Sequence, residues 1–226
     1  MSSLRIVATP IGNLEDLTFR ARRILEEADY VLCEDTRITR KLLDHYAIKT
    51  PTISYHQHSG PLKVAKIITL LREGRDLALV TDAGTPGISD PGGHLISAVR
   101  EELADQVRIE SIPGVSALTA ALSIAGDGFD RFLFLGFLPH KKGRQTILQE
   151  IANSLYPVIV YESKHRILKF LDEIAAVLPA AAIIVAREMT KLHESQYFGN
   201  PAAVKKQLES DPNNLKGEFV VLIRIK

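Results

Sequence analysis

Val80-Thr81-Asp82-Ala83-Gly84-Thr85-Pro86-Gly87-Ile88-Ser89-Asp90-Pro91-Gly92-Gly93 is the segment on which the architecture of this chain turns. Four glycines and two prolines fall between Asp82 and Gly93, directly after an apolar run at 77–81 and directly before a helical pattern at 91–103. Glycine permits positive φ and a close approach of backbone to a ligand, and proline freezes the turn. A plain strand-to-helix connection is also often glycine-rich. The length of this run favours a ligand loop.

The same strand-loop-helix unit recurs in both directions along the chain. Strands are expected at 4–9, 29–33, 52–55, 77–81, 108–112, 132–137, 157–161, 182–186 and 218–225. Helical periodicity marks 18–28, 36–46, 62–72, 91–103, 141–153, 165–177 and 201–210. In the first of these helices Phe19, Ile24, Leu25 and Ala28 share one face, and Arg20, Arg23 and Glu27 the other. Such alternation predicts an α/β fold with largely parallel strands. Several early strands are solidly apolar, as strands covered on both faces should be. The chain changes character near Ile112-Pro113-Gly114, so two lobes are expected, 1–113 and 114–226.

Composition narrows the function classes. The 226 residues are 46% hydrophobic and 24% charged, with 28 Lys and Arg against 27 Asp and Glu, a net charge of +1. A protein that neutralised many phosphates through bulk charge would be more basic, so nucleic-acid binding here requires a local patch. Cys33 is the only cysteine, which excludes an intrachain disulfide and a thiolate metal cluster. Met1-Ser2-Ser3-Leu4-Arg5 has neither the charged head nor the apolar core of a secretory leader, and no apolar run reaches the roughly 18 residues of a membrane span. The expected compartment is the cytoplasm, with no membrane partner.

Further loops follow other strands. Ala8-Thr9-Pro10-Ile11-Gly12-Asn13-Leu14 comes after the first and Pro113-Gly114-Val115-Ser116-Ala117 after the fifth. In an open α/β sheet ligands sit at the carboxyl ends of the strands, where a rigid loop exposing N–H and C=O groups suits an adenine and a ribose. No Walker A sequence is present and no G-x-G-x-x-G opens the first helix, which argues against ATP and against an ordinary dinucleotide fold. Glu34-Asp35-Thr36-Arg37 ends the second strand. Asp35 reads as a helix N-cap, while Arg37, Arg40 and Lys41 share one helical face, either solvated or phosphate-binding. His56-Gln57-His58 puts two imidazoles on one side of a continuing strand. With Cys33 they form an incomplete zinc set, so contact with substrate is the preferred reading and no metal is expected. His140-Lys141-Lys142-Gly143-Arg144 forms a second basic cluster, a candidate anion site.

Taken together, these segments resemble the ribosomal RNA small subunit methyltransferase I family, within the tetrapyrrole methylase superfamily. Thr9 to Asp16, Glu34-Asp35-Thr36-Arg37, Asp82 to Gly92 and Pro113-Gly114-Val115-Ser116-Ala117 look like its N-terminal motifs. Phe137-Leu138-Pro139 with Lys141-Lys142-Gly143, and Arg187-Glu188-Met189-Thr190-Lys191 with His193-Glu194, look like its C-terminal ones. The resemblance implies a two-lobed fold holding S-adenosylmethionine in a cleft between lobes, usually in a homodimer. It implies 2′-O-methylation of a cytidine in the decoding region of 16S rRNA within the small ribosomal subunit. By motif matching the cofactor should touch Pro10, Ala83, Gly84, Thr85, Ile88, Ser116 and Ala117, with Glu162 and Met189 in the second lobe. Many members carry a further helical segment after the last strand, whereas this sequence stops at Lys226, a departure that bears on RNA affinity.

A ribose 2′-hydroxyl is a weak nucleophile, so an acceptor should take its proton as the methyl group is attacked. The candidates are Glu34, Asp35, His56, Asp90 and Glu188. Arg37, Arg40, Lys41, Lys141, Lys142 and Arg144 are candidates to hold flanking phosphates. Two rivals stay open on the sequence: methylation of a tetrapyrrole carbon, and a non-catalytic ribosome-assembly factor that binds the cofactor.

Overall fold

The computed structural model describes residues 1–56, 58–90 and 92–225. Gln57 of the His-Gln-His segment, Pro91 at the start of the expected helix, and Lys226 lie outside the described residues. The chain divides into two compact units, Met1–Ser116 and Ala117–Lys226.

The first unit runs β1 (Ser2–Val7), α1 (Phe19–Glu27), β2 (Tyr30–Cys33), α2 (Thr36–His45), β3 (Thr52–Ser54), α3 (Pro61–Arg72), β4 (Leu77–Leu79), α4 (Gly92–Leu103) and β5 (Val107–Ile112). Its five strands form one wholly parallel sheet in the order β3-β2-β4-β1-β5. Side chains alternate across the strands, which dictates what each face buries. Val7, Val31, Cys33 and Ala78 pack with Ala21, Ile24, Leu25 and Leu43 of α1 and α2. Leu4, Ile6, Leu32, Leu77 and Leu79 face the other way, against Ile67, Ile68 and Leu71 of α3 and Leu95, Val99 and Leu103 of α4. Thr18 caps α1 and Asp35 caps α2, each through its side-chain oxygen.

The second unit contains α5 (Ala117–Ser123), β6 (Leu133–Phe137), α6 (Arg144–Ala152), β7 (Val158–Ser163), α7 (Ile167–Val177), β8 (Ala182–Arg187), β9 (Ser195–Gly199), α8 (Pro201–Glu209) and β10 (Glu218–Arg224). The sheet order is β6-β7-β10-β8-β9. Only β6 and β7 are parallel; the other three pairings are antiparallel, which corrects the expectation of largely parallel strands for this half. The reason is chain length: residues 188–194 between β8 and β9 are too few for a crossover, which takes a dozen or more. Val158, Val160, Val221, Ile223, Phe170, Ile174 and Leu208 fill its core. Neither α5 nor β9 was expected from periodicity. β9 buries only Tyr197 of its five residues, and α5 is a short Ala-rich helix without a strong apolar stripe. Among the described residues no helix is long and apolar enough to cross a membrane.

Candidate functional site

In the first unit the chain leaves β1 toward β2 on one side and leaves β4 toward β5 on the other, although β1 and β4 are neighbours. Because all five strands are parallel, the loops that follow them leave at one edge, the carboxyl ends, the usual ligand position in such sheets. Here loops at that edge are bonded to one another. Thr9 and Gly84 exchange two backbone hydrogen bonds, N–H of Thr9 to O of Gly84 at 2.9 Å and N–H of Gly84 to O of Thr9 at 3.0 Å. The Thr9 hydroxyl donates to the Thr81 carbonyl at 3.1 Å, and the Thr85 hydroxyl to the Val115 carbonyl at 3.0 Å. These bonds bring together Pro10, Ala83, Gly84, Thr85 and Ser116, five of the expected cofactor residues. Ile88 lies exposed on the same loop, and Ala117 opens α5 in the second unit.

Glycine is required at two places. Gly84 adopts φ +86°, and Gly114 passes so close to β1 that a Cβ would stand 3.0 Å from the Cβ of Ala8. Left-handed backbone at Gly84 and tight packing at Gly114, fixed by the hydrogen bonds between loops, hold the main chain of this edge rigid.

The candidate acceptors differ in what already occupies them. Asp35 accepts from the N–H of Arg37 and from its guanidinium, with an ion pair at 2.6 Å. Those hydrogen bonds pull its carboxyl down to about 2. Asp90 receives the N–H groups of Gly87 and Gly92 at 2.7 and 2.9 Å, so it shapes the loop ahead of α4. His56 is exposed, and its Nδ1 accepts the N–H of His58. Glu34 is half-buried, and among the described residues a single hydrogen bond, from the Thr81 hydroxyl at 3.3 Å, reaches its carboxylate. Burial pushes the Glu34 carboxyl up, and the charges of Asp82 and Asp90 push it further, against a smaller lowering by Thr81. Asp82, to which the sequence assigned no role, also accepts the N–H of Asp35 at 3.2 Å and so ties the β2 and β4 loops.

In the second unit the carboxyl ends of β6, β7 and β8 meet at one edge: Phe137 pairs with Tyr161, and Phe219 of β10 pairs with both Glu162 and Arg187. Arg187 donates to the carbonyls of His193, Asn213 and Lys216, which pins the loop after β8. Within that loop Glu188 and Thr190 have φ of +50° and +66°, a conformation that costs energy in non-glycine residues and is held by its surroundings. Glu188 accepts from Lys191 Nζ at 2.9 Å and from the N–H of Glu218 at 3.0 Å. Burial would raise its carboxyl, but the Lys191 and Glu218 hydrogen bonds and the charges of Lys191 and Arg187 outweigh it and hold the group low. Met189 is buried.

The cationic candidates separate sharply. Lys41, Lys141 and Lys142 are exposed. Arg40 is half-buried, with a long contact to the Thr50 carbonyl, and Arg37 is exposed but paired with Asp35. Arg144 is corrected by the structure: it is buried, bonded to both oxygens of Glu173 and to the Pro139 carbonyl, and offers nothing to a phosphate in solvent. Glu162, expected at the cofactor, has no exposed side-chain surface and pairs with Arg166 at 2.7 Å. Its carboxylate therefore serves the interior, and the residue as a whole is buried. Lys164 and His165, not among the residues expected from sequence, are exposed in the turn after β7 beside the Lys141-Lys142 loop; the signal for them is the basic run Lys164-His165-Arg166 at the end of a strand.

Both the sequence and the fold are similar to those of known proteins. The sequence profile of the tetrapyrrole (corrin/porphyrin) methylases matches residues 3–204. The ribosomal RNA small subunit methyltransferase I of Xylella fastidiosa is 45% identical over 224 residues, 98% of this chain and 81% of that protein. The protein of the same name from Thermotoga maritima is 41% identical over 199 residues, 88% of each. Among solved structures, the methyltransferase CobJ superposes with a TM-score of 0.71 at 18% identity, covering 99% of this chain and 94% of that one. Uroporphyrin-III C-methyltransferase from Thermus thermophilus, complexed with S-adenosylhomocysteine, gives 0.66 at 17% identity, covering 98% and 97%.

Proposed function

The chain belongs to the tetrapyrrole methylase family and, within it, to the ribosomal RNA small subunit methyltransferases I, and from that membership we infer an enzyme that methylates 16S rRNA from S-adenosylmethionine, at a cytidine 2′-oxygen in the decoding region. The observation that carries the cofactor half of this reading is the pair of hydrogen bonds between Thr9 and Gly84, which joins two loops into one backbone-lined surface. S-adenosylmethionine, when bound, supplies a methyl group on a sulfonium, ready for in-line displacement. Within the first unit, peptide groups of Pro10, Ala83, Thr85 and Ser116 orient it, with Gly84 letting the backbone approach closely and Ile88 as a further contact. Rigid alignment of this kind is where much of the acceleration of a displacement arises.

Glu34 is the proposed proton acceptor. Asp35, Asp90 and Glu188 are each committed to N–H groups or cations, whereas Glu34 has one hydroxyl partner among the described residues and an elevated affinity for a proton. A carboxylate of raised pKa takes a hydroxyl proton more readily than an ordinary one. Lys41, Lys141 and Lys142, with Arg37 and Arg40 as weaker contributors, hold flanking phosphates. The reading carries with it a homodimer at work in the cytoplasm on the small ribosomal subunit.

Transfer of label from methyl-labelled cofactor to isolated small subunits is the decisive test. Label is expected in 16S rRNA as 2′-O-methylcytidine. Label in a porphyrin precursor and none in RNA would move the chain to the carbon methylases, and cofactor binding without any transfer would leave an assembly factor.

A further inference from the structure

Phe137 is 53% exposed at the end of β6, while the next residue, Leu138, is buried. Phe134 and Phe137, three apart, would face opposite ways in a regular strand. The pairing register shifts between Phe134 and Gly136, with Gly136 at φ +60°, and both rings come to rest against Tyr161, at 5.0 and 5.5 Å between centroids. A bulge that re-aims a side chain in this way is a feature of functional strands rather than of cores. Phe137 meets Tyr161 edge to face and leaves about half of its surface to solvent.

The two loops beside it carry charge of one sign. Because β6 and β7 are parallel, the segments 138–143 and 164–166 leave at the same edge, and they contain three lysines, two histidines and Arg166 but no Asp or Glu. Of the nearby acids, Glu162 pairs with Arg166 and Glu173 with Arg144, all at low exposure, while Glu218, opposite Ser163, is exposed and paired with Lys191. Arg166 donates to the Leu138 carbonyl at 2.8 Å and Arg144 to the Pro139 carbonyl at 3.0 Å, so the buried ion pairs fix both loops while Lys141, Lys142 and Lys164 remain exposed. An exposed aromatic face beside cations matches an unpaired nucleotide, whose base stacks while its phosphates are neutralised.

We propose that Phe137 is the stacking platform for an unpaired base of the RNA substrate, flanked by Lys141, Lys142 and Lys164 on the phosphates. This rests on the reading of the chain as an rRNA methyltransferase. The sequence contains no tryptophan, so Phe137→Trp introduces a single indole at the proposed contact. A short single-stranded oligoribonucleotide is expected to quench that indole saturably, with the midpoint given by the anisotropy of the same RNA carrying a dye. Phe137→Ala should weaken RNA binding by about 5- to 150-fold, the range that loss of one stacked base implies. Phe137→Leu keeps the apolar bulk and guards against a folding defect; it should weaken binding comparably, which a packing role alone would not produce. Lys164→Ala should lower the slope of log K against log salt by about 0.7. An indole unmoved by RNA that demonstrably binds, or parental affinity in the Ala and Leu variants, overturns the platform. If the parental protein methylates small subunits in those circumstances, only the platform falls; if it neither binds nor methylates RNA, the functional reading falls with it.

Discussion

Glu34 illustrates how much a single carboxylate depends on its neighbours. It follows directly on β2, beside Asp35, yet the two differ in opposite directions: Asp35 is pulled down to about 2 by Arg37, and Glu34 is pushed up by burial and by Asp82 and Asp90. A group whose folded pKa is raised favours the folded state while protonated; its contribution is complete below the unfolded pKa and is lost as pH rises through the folded one. At neutral pH the ionised Glu34 is therefore a burden on stability, tolerable if it accepts a proton in catalysis. Glu34→Gln is expected to reduce turnover by roughly 10²- to 10⁴-fold while melting no lower than the parent at neutral pH, any advantage vanishing in acid. The parental rate should fall on the acid side with an inflection above the usual glutamate range. Calorimetric melting across pH, with labelled-cofactor turnover, checks both halves. A variant that keeps its activity removes Glu34 from the chemistry.

At the level of elements, the second unit shows what linear sequence hides. Arg144 stands in a run with Lys141 and Lys142 and reads with them as a surface cluster. Its partner Glu173 arrives from α7, 29 residues further on, and only folding reveals that the guanidinium belongs to the interior. The mixed sheet is hidden in the same way, because nothing in the apolar run of β10 says that it inserts between β7 and β8. By contrast, the carboxyl-edge loops of the first unit were legible, since the glycines and prolines that shape them are local signals. Removing one member of a buried ion pair strands the other, which costs about 3–5 kcal/mol, whereas replacing both by apolar groups of similar volume is often nearly neutral. Arg144→Ala should lose that much in urea unfolding, and Arg144→Met with Glu173→Leu should lose far less than the two single changes summed. A loss below about 1 kcal/mol for Arg144→Ala, in the range typical of exposed pairs, would return this residue to the surface cluster.

For the whole molecule the governing fact is a net charge of +1 on 226 residues. Such a chain has no global field to draw RNA in, and affinity must come from the few cations that are both exposed and unneutralised. Those two conditions distinguish residues that looked alike in sequence. Among the described residues Lys141 and Lys142 meet both, whereas Arg37 is exposed but already faces Asp35 at 2.6 Å. Each phosphate newly neutralised on a single strand releases counterions worth about 0.7 in the slope of log K against log salt. The pair Lys141→Ala and Lys142→Ala should therefore lower the slope for a single-stranded RNA by about 1.4, with cofactor affinity unchanged. Arg37→Ala should lower it by clearly less than one such contact, because the arginine must leave Asp35 before it can serve a phosphate. Affinities measured over a range of monovalent salt, with calorimetry for the cofactor, give both slopes. Equal losses for Arg37 and for each lysine would mean that the Asp35 pair opens freely in solution. An unchanged slope in the double lysine variant would mean that this edge is solvated and that the RNA backbone is held elsewhere.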